Sequence, residues 1–460
     1  MVSSKKVCVI GGGMSGLASA RELLREGHDV TVMEQIGGVG GQWLYDPRTD
    51  AGDPLGTAGV HSSMYTSVRL ISPREMTCFS DFPFFPKNDG TGDARRYPGH
   101  AEFLRYIRDF CEAFGLMDVV RLNAKVLHVG LAAPHAAGDG DGNGIKRWKV
   151  SWSRHGDCDG EVVTTEEVFD AIVVAVGQYT QPRLPSINGM DKWSRRQLHS
   201  HSYRVPDSFH GEVVVVVGFH ESGKDIAQEL CNVAREVHVS VKSMDGLTPA
   251  VSKAVARHHN LHLHLQEGNP CSIVHSESDP GNVMFADGAC VVADSIIYCT
   301  GYDLSLPFLD TGGLVTVDGD RFGPLFEHTF PPALAPTLSF VGMLRLVMVP
   351  RFYEAQGRWV AQVLSGRRQL PSSEEMMRSA EEYDRAREAC PSCRLELDYC
   401  DVFGAKHCDF PPVEQWKMEL LSSAFARVRD GDVESYCDSY HDSDLVREGL
   451  RSEGWLPRTP

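Results

Sequence analysis

At 460 residues the chain exceeds what one hydrophobic core ordinarily serves, so two domains are expected, one inserted in the other. A content of 42% hydrophobic and 23% charged residues excludes a disordered, collagen-like or disulfide-scaffold protein. The net charge of −17, without any run of lysine and arginine, sets nucleic-acid partners aside.

In chain order, the first strand-like segment is Lys6-Val-Cys-Val-Ile-Gly11, which leaves no room for a basic leader and an apolar stretch ahead of it. The turn Gly11-Gly12-Gly13-Met14-Ser15-Gly16, a helix from Leu17 to Glu26 and a strand from His28 to Glu34 follow. Together they make one βαβ unit in about 30 residues. Leu17, Ala20, Leu23 and Leu24 share a helix face, and Gly27 falls where a left-handed cap is wanted. The spacing is GxGxxG: Gly11 permits the tight turn, Gly13 lets backbone approach a pyrophosphate, and Gly16 allows close helix–strand packing. Glu34 ends the second strand, where a carboxylate accepts hydrogen bonds from an adenosine ribose, so FAD or NAD suits this loop better than NADP.

Residues 132–144 are low in complexity and read as a solvated hairpin loop. Phe169 to Gly177 reads as a buried strand ending in glycine. A second unit opens with five valines, Val213 to Val217, a buried parallel strand by its β-branched composition. Gly218-Phe-His-Glu-Ser222-Gly223 then leads into a helix, Lys224 to Ala234, with His220 where the middle glycine would stand. The next strand, Val237 to Val241, runs into Lys242 and Ser243 at the place Glu34 held in the first unit. A cation there welcomes a 2′-phosphate, which points to NADPH. Ala293 to Gly301 closes this unit as Phe169 to Gly177 closes the first. From Pro371 onward the pattern is amphipathic helix, Glu374 to Ala389 and Val413 to Val428, read as scaffold.

Two metal-like stretches are read as ordinary sequence. Cys390-Pro-Ser-Cys393, with Cys400, His407 and Cys408, has irregular spacing and no second CxxC. In His258 to His264 the alternation puts His262 and His264 on one strand face and Leu261 and Leu263 on the other. No metal is expected. Thirteen cysteines, an odd number, suit a reducing compartment, so a cytoplasmic location is expected. No apolar run approaches the ~20 residues of a membrane anchor.

Trp193-Ser-Arg-Arg-Gln-Leu-His199-Ser-His-Ser-Tyr203-Arg204 resembles the FxGxxxHxxxY fingerprint of flavin-containing monooxygenases. His199 and Tyr203 match, while Trp193 replaces the phenylalanine and Arg195 the glycine. Tyr203 also argues against the Baeyer–Villiger class, whose fingerprint ends in tryptophan. Further blocks of the family appear in order: Gly40-Gly-Gln42-Trp43, Pro73-Arg-Glu-Met76, Phe79 to Phe84, Tyr97-Pro-Gly-His100 and Cys299-Thr-Gly-Tyr302. Late segments, Leu334 to Gly342 and Glu354-Ala-Gln356 to Gly366, resemble the plant branch that S-oxygenates thioethers such as glucosinolate side chains or S-alkyl cysteines.

The resemblance implies an α/β fold of two Rossmann-like dinucleotide-binding domains. An FAD domain would be assembled from residues 1–204 and 327–460, and an NADPH domain, residues 205–326, inserted in it. FAD would lie on Gly11, Gly12, Gly13, Met14, Ser15, Gly16, Glu34, Gln42 and Trp43, and NADPH on Gly218, Ser222, Gly223, Lys224, Asp225 and Lys242. His199, Tyr203 and Gln356 would also serve the cofactors. The family's cycle traps O₂ as a flavin C4a-hydroperoxide whose distal oxygen passes to a soft nucleophile, here a small thioether, with an amine as the alternative. A homodimer is left open.

One departure falls on the chemistry. Relatives carry an asparagine just ahead of the Pro-Arg-Glu block, but this chain reads Leu70-Ile71-Ser72-Pro73. Ile71 cannot donate a hydrogen bond, and Ser72 is the nearest substitute. One lost donor is worth ~1–3 kcal/mol. Loss of H₂O₂ from an uncoupled NADPH oxidase is therefore a second expectation, and a non-catalytic flavoprotein a third, disfavoured by the two glycine loops.

Overall fold

Five valines in a row cannot alternate between core and solvent, and the strand Val213–Val217 is buried along its whole length. It is the centre of one of two five-stranded parallel sheets that organise the protein. The computed structural model describes all residues except 1–2, 49–52, 57–60, 88–89, 133–145, 156–161, 180, 243–247, 266–270, 277–278, 319–320, 345–347, 390–397, 433 and 458–460. Most of the low-complexity stretch read as a hairpin loop, and Cys390 and Cys393, lie outside the described residues.

The first sheet has the strand order Leu338–Phe340, Ala171–Val174, Lys6–Ile10, Asp29–Met33, Val120–Arg121, all parallel. Its strands come from both ends of the chain. The second sheet runs Leu261–Leu265, Glu236–Val241, Val213–Val217, Ser295–Tyr298, Arg196–His199, again all parallel. Its edge strand starts at Arg196, ahead of the boundary expected after Arg204. The fingerprint occupies that strand and the turn after it, so half of the motif builds the second sheet. Lys125–Leu131, Trp148–His155 and Val162–Phe169 form a separate antiparallel meander.

Helix α1, Met14–Arg25, begins inside the glycine motif, earlier than the hydrophobic periodicity places it. It buries Leu17, Ala20 and Leu23 completely. Gly27 closes it at φ +88°, with His28 N donating back to Leu23 O. The other predicted helices stand at Glu221–Leu230, Ser373–Ala389 and Gln415–Asp430. The helix Arg351–Leu364 crosses α1 so closely that a Cβ on Gly357 would sit 2.9 Å from Ser19 Cα.

A charged cluster is buried at this crossing. The Arg21 guanidinium, 2% exposed, pairs with Asp81 at 2.7 Å, with Glu22 at 3.0 Å and with the fully buried Glu354. Glu354 also accepts from Ser80 N at 2.9 Å and Ser80 Oγ at 2.7 Å, so the segment carrying Phe79 to Phe84 is clamped to both helices. Removing one charge strands the other in the interior, at a cost of about 3–5 kcal/mol. Glu354→Gln keeps the shape, and urea unfolding should show a loss of about 3 kcal/mol. A loss below about 1 kcal/mol would mean that Asp81 and Glu22 suffice for Arg21.

Among the described residues no helix is long and apolar enough to cross a membrane. The described cysteines are free thiols. Cys400 and Cys408 are buried, which pushes both thiols up to about 12.

Candidate active site

The two glycine loops are built the same way. Gly11 has φ +110°, and a Cβ there would lie 2.5 Å from Ala175 O; a Cβ on Gly16 would lie 1.9 Å from Gly11 O. In the second loop Gly218 has φ +100° and would meet Cys299 O at 2.5 Å, and Gly223 would meet Gly218 O at 2.1 Å. In both loops the outer glycines are therefore demanded by the chain itself, one by its backbone and one by helix–strand contact. The middle position differs. A Cβ on Gly13 would find only ordinary contact with Gly41 Cα at 3.5 Å, so nothing within the protein demands glycine there. The demand comes from outside the chain, from whatever approaches the helix N-terminus. His220 holds the matching position of the second loop in the same extended conformation, and its side chain is 82% exposed. Losing the middle glycine therefore leaves that loop's backbone intact.

Glu34 is 3% exposed. Its Oε2 accepts from Gly12 N at 2.7 Å and its Oε1 from Ile36 N at 3.0 Å. Burial holds the carboxyl above its ordinary range, and the backbone donors oppose that shift. Each oxygen keeps a second lone pair, the property that a ribose hydroxyl needs. Gly40, at φ +126°, donates to Gly12 O at 3.0 Å and carries the short 3-10 turn Gly41–Trp43 up to the loop. Trp43 packs edge-on against Phe103 at 4.6 Å, and its buried Nε1 has no hydrogen-bond partner among the described residues.

Both loops open on one cleft of about 3730 Å³. Gly13, Glu34, Gln42 and Trp43 line its first end, and Lys224, Asp225 and Lys242 its second. Gly11, Met14, Ser15, Gly218 and Ser222 reach it as well. Gly12, Gly16 and Gly223 stand behind this wall and shape the loops from within. The remaining three predicted cofactor residues are also absent from the wall. His199 lies beneath it, its Nδ1 accepting from His201 N at 3.1 Å, and burial lowers it to about 4, so the ring is neutral. Tyr203 is 1% exposed and gives its hydroxyl hydrogen to Glu229 at 2.7 Å. The Gln356 amide faces inward, its Oε1 accepting from Gly342 N at 3.1 Å and its Nε2 donating to Thr329 at 2.9 Å. Gln356 thereby holds the Gly342 backbone, which lines the cleft.

Tyr65 is a site residue that no motif revealed. It lines the cleft, packs edge-on against Tyr203 at 5.5 Å and donates its hydroxyl to Asp225. Tyr65 thus joins the two nucleotide units, with Tyr203 and Glu229 supporting it. The surrounding protein raises the Asp225 carboxyl above its ordinary range, and the Tyr65 bond works against that shift.

Ile71 projects into the cleft and is 63% exposed, unusual for a large aliphatic side chain. The Ser72 hydroxyl is paired within its own turn. Its Oγ lies 2.6 Å from Thr77 Oγ1, which also lies 3.1 Å from Pro73 O. Either hydroxyl can donate across that contact; if Thr77 gives its hydrogen to Pro73 O, the Ser72 hydrogen goes to Thr77. The pair then has no spare side-chain donor to offer the cleft.

Two parallel sheets with paired glycine loops over one cleft define a two-dinucleotide oxidoreductase fold. The flavin-binding monooxygenase-like family model matches residues 4–255 and 274–403, and the chain belongs to that family. It is 50% identical over 457 residues to flavin-containing monooxygenase FMO GS-OX-like 8 of Arabidopsis thaliana, covering 97% of this chain and 95% of that one. It is 39% identical to FMO GS-OX5 of the same plant over 461 residues, 97% and 94% of the two chains. The solved structure of S-allyl-L-cysteine S-oxygenase from Allium sativum superposes with a TM-score of 0.85 at 38% identity, covering 99% and 100%. Family membership implies the use of FAD and NADPH. The wall described above fits two such ligands, with a glycine, a carboxylate and an indole N–H unpartnered among the described residues at one end and two lysines at the other.

Proposed function

We propose that the chain is an NADPH-dependent S-oxygenase of a small thioether, with FAD on the Gly11 loop and NADPH on the Gly218 loop. The observation that carries this reading is the pair of geometrically equivalent loops facing one cleft, one ending in Glu34 and the other in Lys242. The 38% identity to the Allium S-allyl-L-cysteine S-oxygenase over the whole chain supports the substrate class. Bound FAD, reduced by NADPH, supplies the activation of O₂.

The chain's own residues bind and orient. Glu34 receives the ribose hydroxyls of the first nucleotide, and Gly13 lets its pyrophosphate meet the N-terminus of α1. Lys242 and Lys224 both line the cleft, where phosphate can reach them. A sulfide takes an oxygen on its lone pair without giving up a proton, so no general base is asked of the cleft. The test is direct: purified protein with NADPH, O₂ and S-allyl-L-cysteine should form the sulfoxide, read by mass spectrometry with ¹⁸O₂. Sulfoxide lacking the label, or N-oxide formed in preference from a matched amine, overturns the reading.

Lys242 gives a second check. Lys242→Ala should raise KM for NADPH about ten- to a hundredfold, from the loss of ~1–3 kcal/mol in a charge-assisted contact. NADH, lacking the 2′-phosphate, should be unaffected, and equal weakening of both nucleotides would remove Lys242 from the phosphate site.

Ile71 favours a second reading: without a side-chain donor at that position, the protein releases H₂O₂ when thioether is scarce.

A further inference from the structure

The parallel register of the second sheet brings together four groups far apart in sequence. His238 stands opposite His262 and Ser240 opposite His264, at the edge formed by the strands Glu236–Val241 and Leu261–Leu265. The rings stack, His238 on His262 at 4.7 Å and on His264 at 5.3 Å, and His264 lies flat on Phe285 at 3.9 Å. A line of hydrogen bonds runs through them. Asp287 Oδ2 lies 2.9 Å from His264 Nδ1, His264 Nε2 lies 3.0 Å from His238 Nδ1, and His238 Nε2 lies 3.0 Å from Glu236 Oε2.

These three contacts need three hydrogens, and two neutral imidazoles carry two. If His264 donates to Asp287 and His238 Nδ1 donates to His264, then His238 Nε2 presents a bare lone pair to the Glu236 carboxylate. Two acceptors 3.0 Å apart call for a cation between them. His262 stands on the same side: one ligand atom each from Glu236, His238 and His262 lie within 4.8 Å of one another.

We propose that Glu236, His238 and His262 bind one divalent ion of the zinc type. Two imidazoles and a carboxylate are a nitrogen and oxygen donor set suited to such an ion, with water completing four-coordination. Donors of a tetrahedral zinc site lie about 3.3 Å apart, so Glu236 and His262 would close in by rotamer adjustment. The His238–His264–Asp287 line is the outer support that metal-bound histidines usually carry, fixing the tautomer that leaves Nε2 free. A third proton would satisfy the hydrogen-bond count equally but would leave His262 without a part. The site lies roughly 13 Å along its strand from Lys242, four residues at about 3.3 Å each, so its role is to tie the edge strand to the sheet.

The experiment uses the flavin-loaded full chain, stripped with EDTA and titrated with Zn²⁺ by calorimetry and with Co²⁺ by absorption. One Zn²⁺ per chain should bind with Kd below about 10 μM, weakened at least about thirtyfold in His262→Ala and in Glu236→Gln. Co²⁺ should give d–d bands without thiolate charge transfer, and flavin content and NADPH oxidation should stay unchanged in both variants. Absence of saturable binding below about 1 mM would assign the gap to a proton and overturn the proposal. Binding undiminished in His262→Ala, or thiolate bands with Co²⁺ on the unsubstituted chain, would place the ion on cysteine and overturn it as well.

Discussion

Gly16→Ala should yield a chain that purifies without yellow colour, while Gly223→Ala should purify yellow and fail to oxidise NADPH. The two substitutions add the same methyl group at equivalent points. In the first, the new Cβ lies 1.9 Å from Gly11 O, and in the second, 2.1 Å from Gly218 O. Neither obstacle is the end of a flexible side chain. Each is the backbone oxygen of the glycine that opens the loop, itself held at positive φ against a neighbouring strand. The helix must therefore move away, and its N-terminal N–H groups leave the position in which they meet a pyrophosphate. A displacement of about 1 Å at such a site costs on the order of a hundredfold. Bound flavin, measured from the absorbance ratio of the purified protein, and NADPH oxidation at saturating O₂ check the two halves separately. Gly16→Ala with a full flavin load would remove FAD from the first loop. Loss of flavin in Gly223→Ala would show that the second loop supports folding of the whole rather than binding NADPH.

This pair also shows what the sequence carries well. The demand for glycine is legible because most of it is local: Gly16 and Gly223 meet the opening glycine of their own loop, and Gly11 and Gly218 take the positive φ of the turn. The buried valines and the helical periodicity are legible for the same reason. Residues whose roles depend on distant partners were not. His199 and Tyr203 were readable as a motif, but the motif does not say whether they touch a cofactor. The fold places both behind the wall, as a neutral ring under the turn and a hydroxyl spent on Glu229. Tyr65 stands in no glycine loop, and its bond to Asp225 spans 160 positions. The alternation of His262 and His264 was visible, yet Glu236 and His238 enter only through strand register, which no spacing within one segment reveals. The edge strand Arg196–His199 was hidden because the fingerprint drew attention to its function and not to its pairing with Ser295–Tyr298.

Ile71→Asn should lower the H₂O₂ released per NADPH consumed, in the absence of thioether, by about tenfold or more. The side chain is 63% exposed to the cleft, so the substitution creates no cavity and buries no polar group. Stability should change by less than about 0.5 kcal/mol. What changes is the supply of donors. The sec-butyl side chain offers none, and the nearest hydroxyl, on Ser72, lies 2.6 Å from Thr77 Oγ1 in a contact that either can donate. An asparagine amide there would restore one N–H, worth ~1–3 kcal/mol where water is excluded, and so about ten- to a hundredfold in the lifetime of whatever it holds. Ser72→Ala supplies the control. If its hydrogen serves Thr77, removing it should leave peroxide release unaltered. Peroxide assayed with a coupled peroxidase, against NADPH loss at 340 nm, measures both. If Ile71→Asn leaves the ratio unchanged while Ser72→Ala raises it, Ser72 is the donor and the oxidase reading falls. If both leave it unchanged and low, the retained nucleotide or the backbone supplies the contact, and the chain is a coupled oxygenase despite the isoleucine.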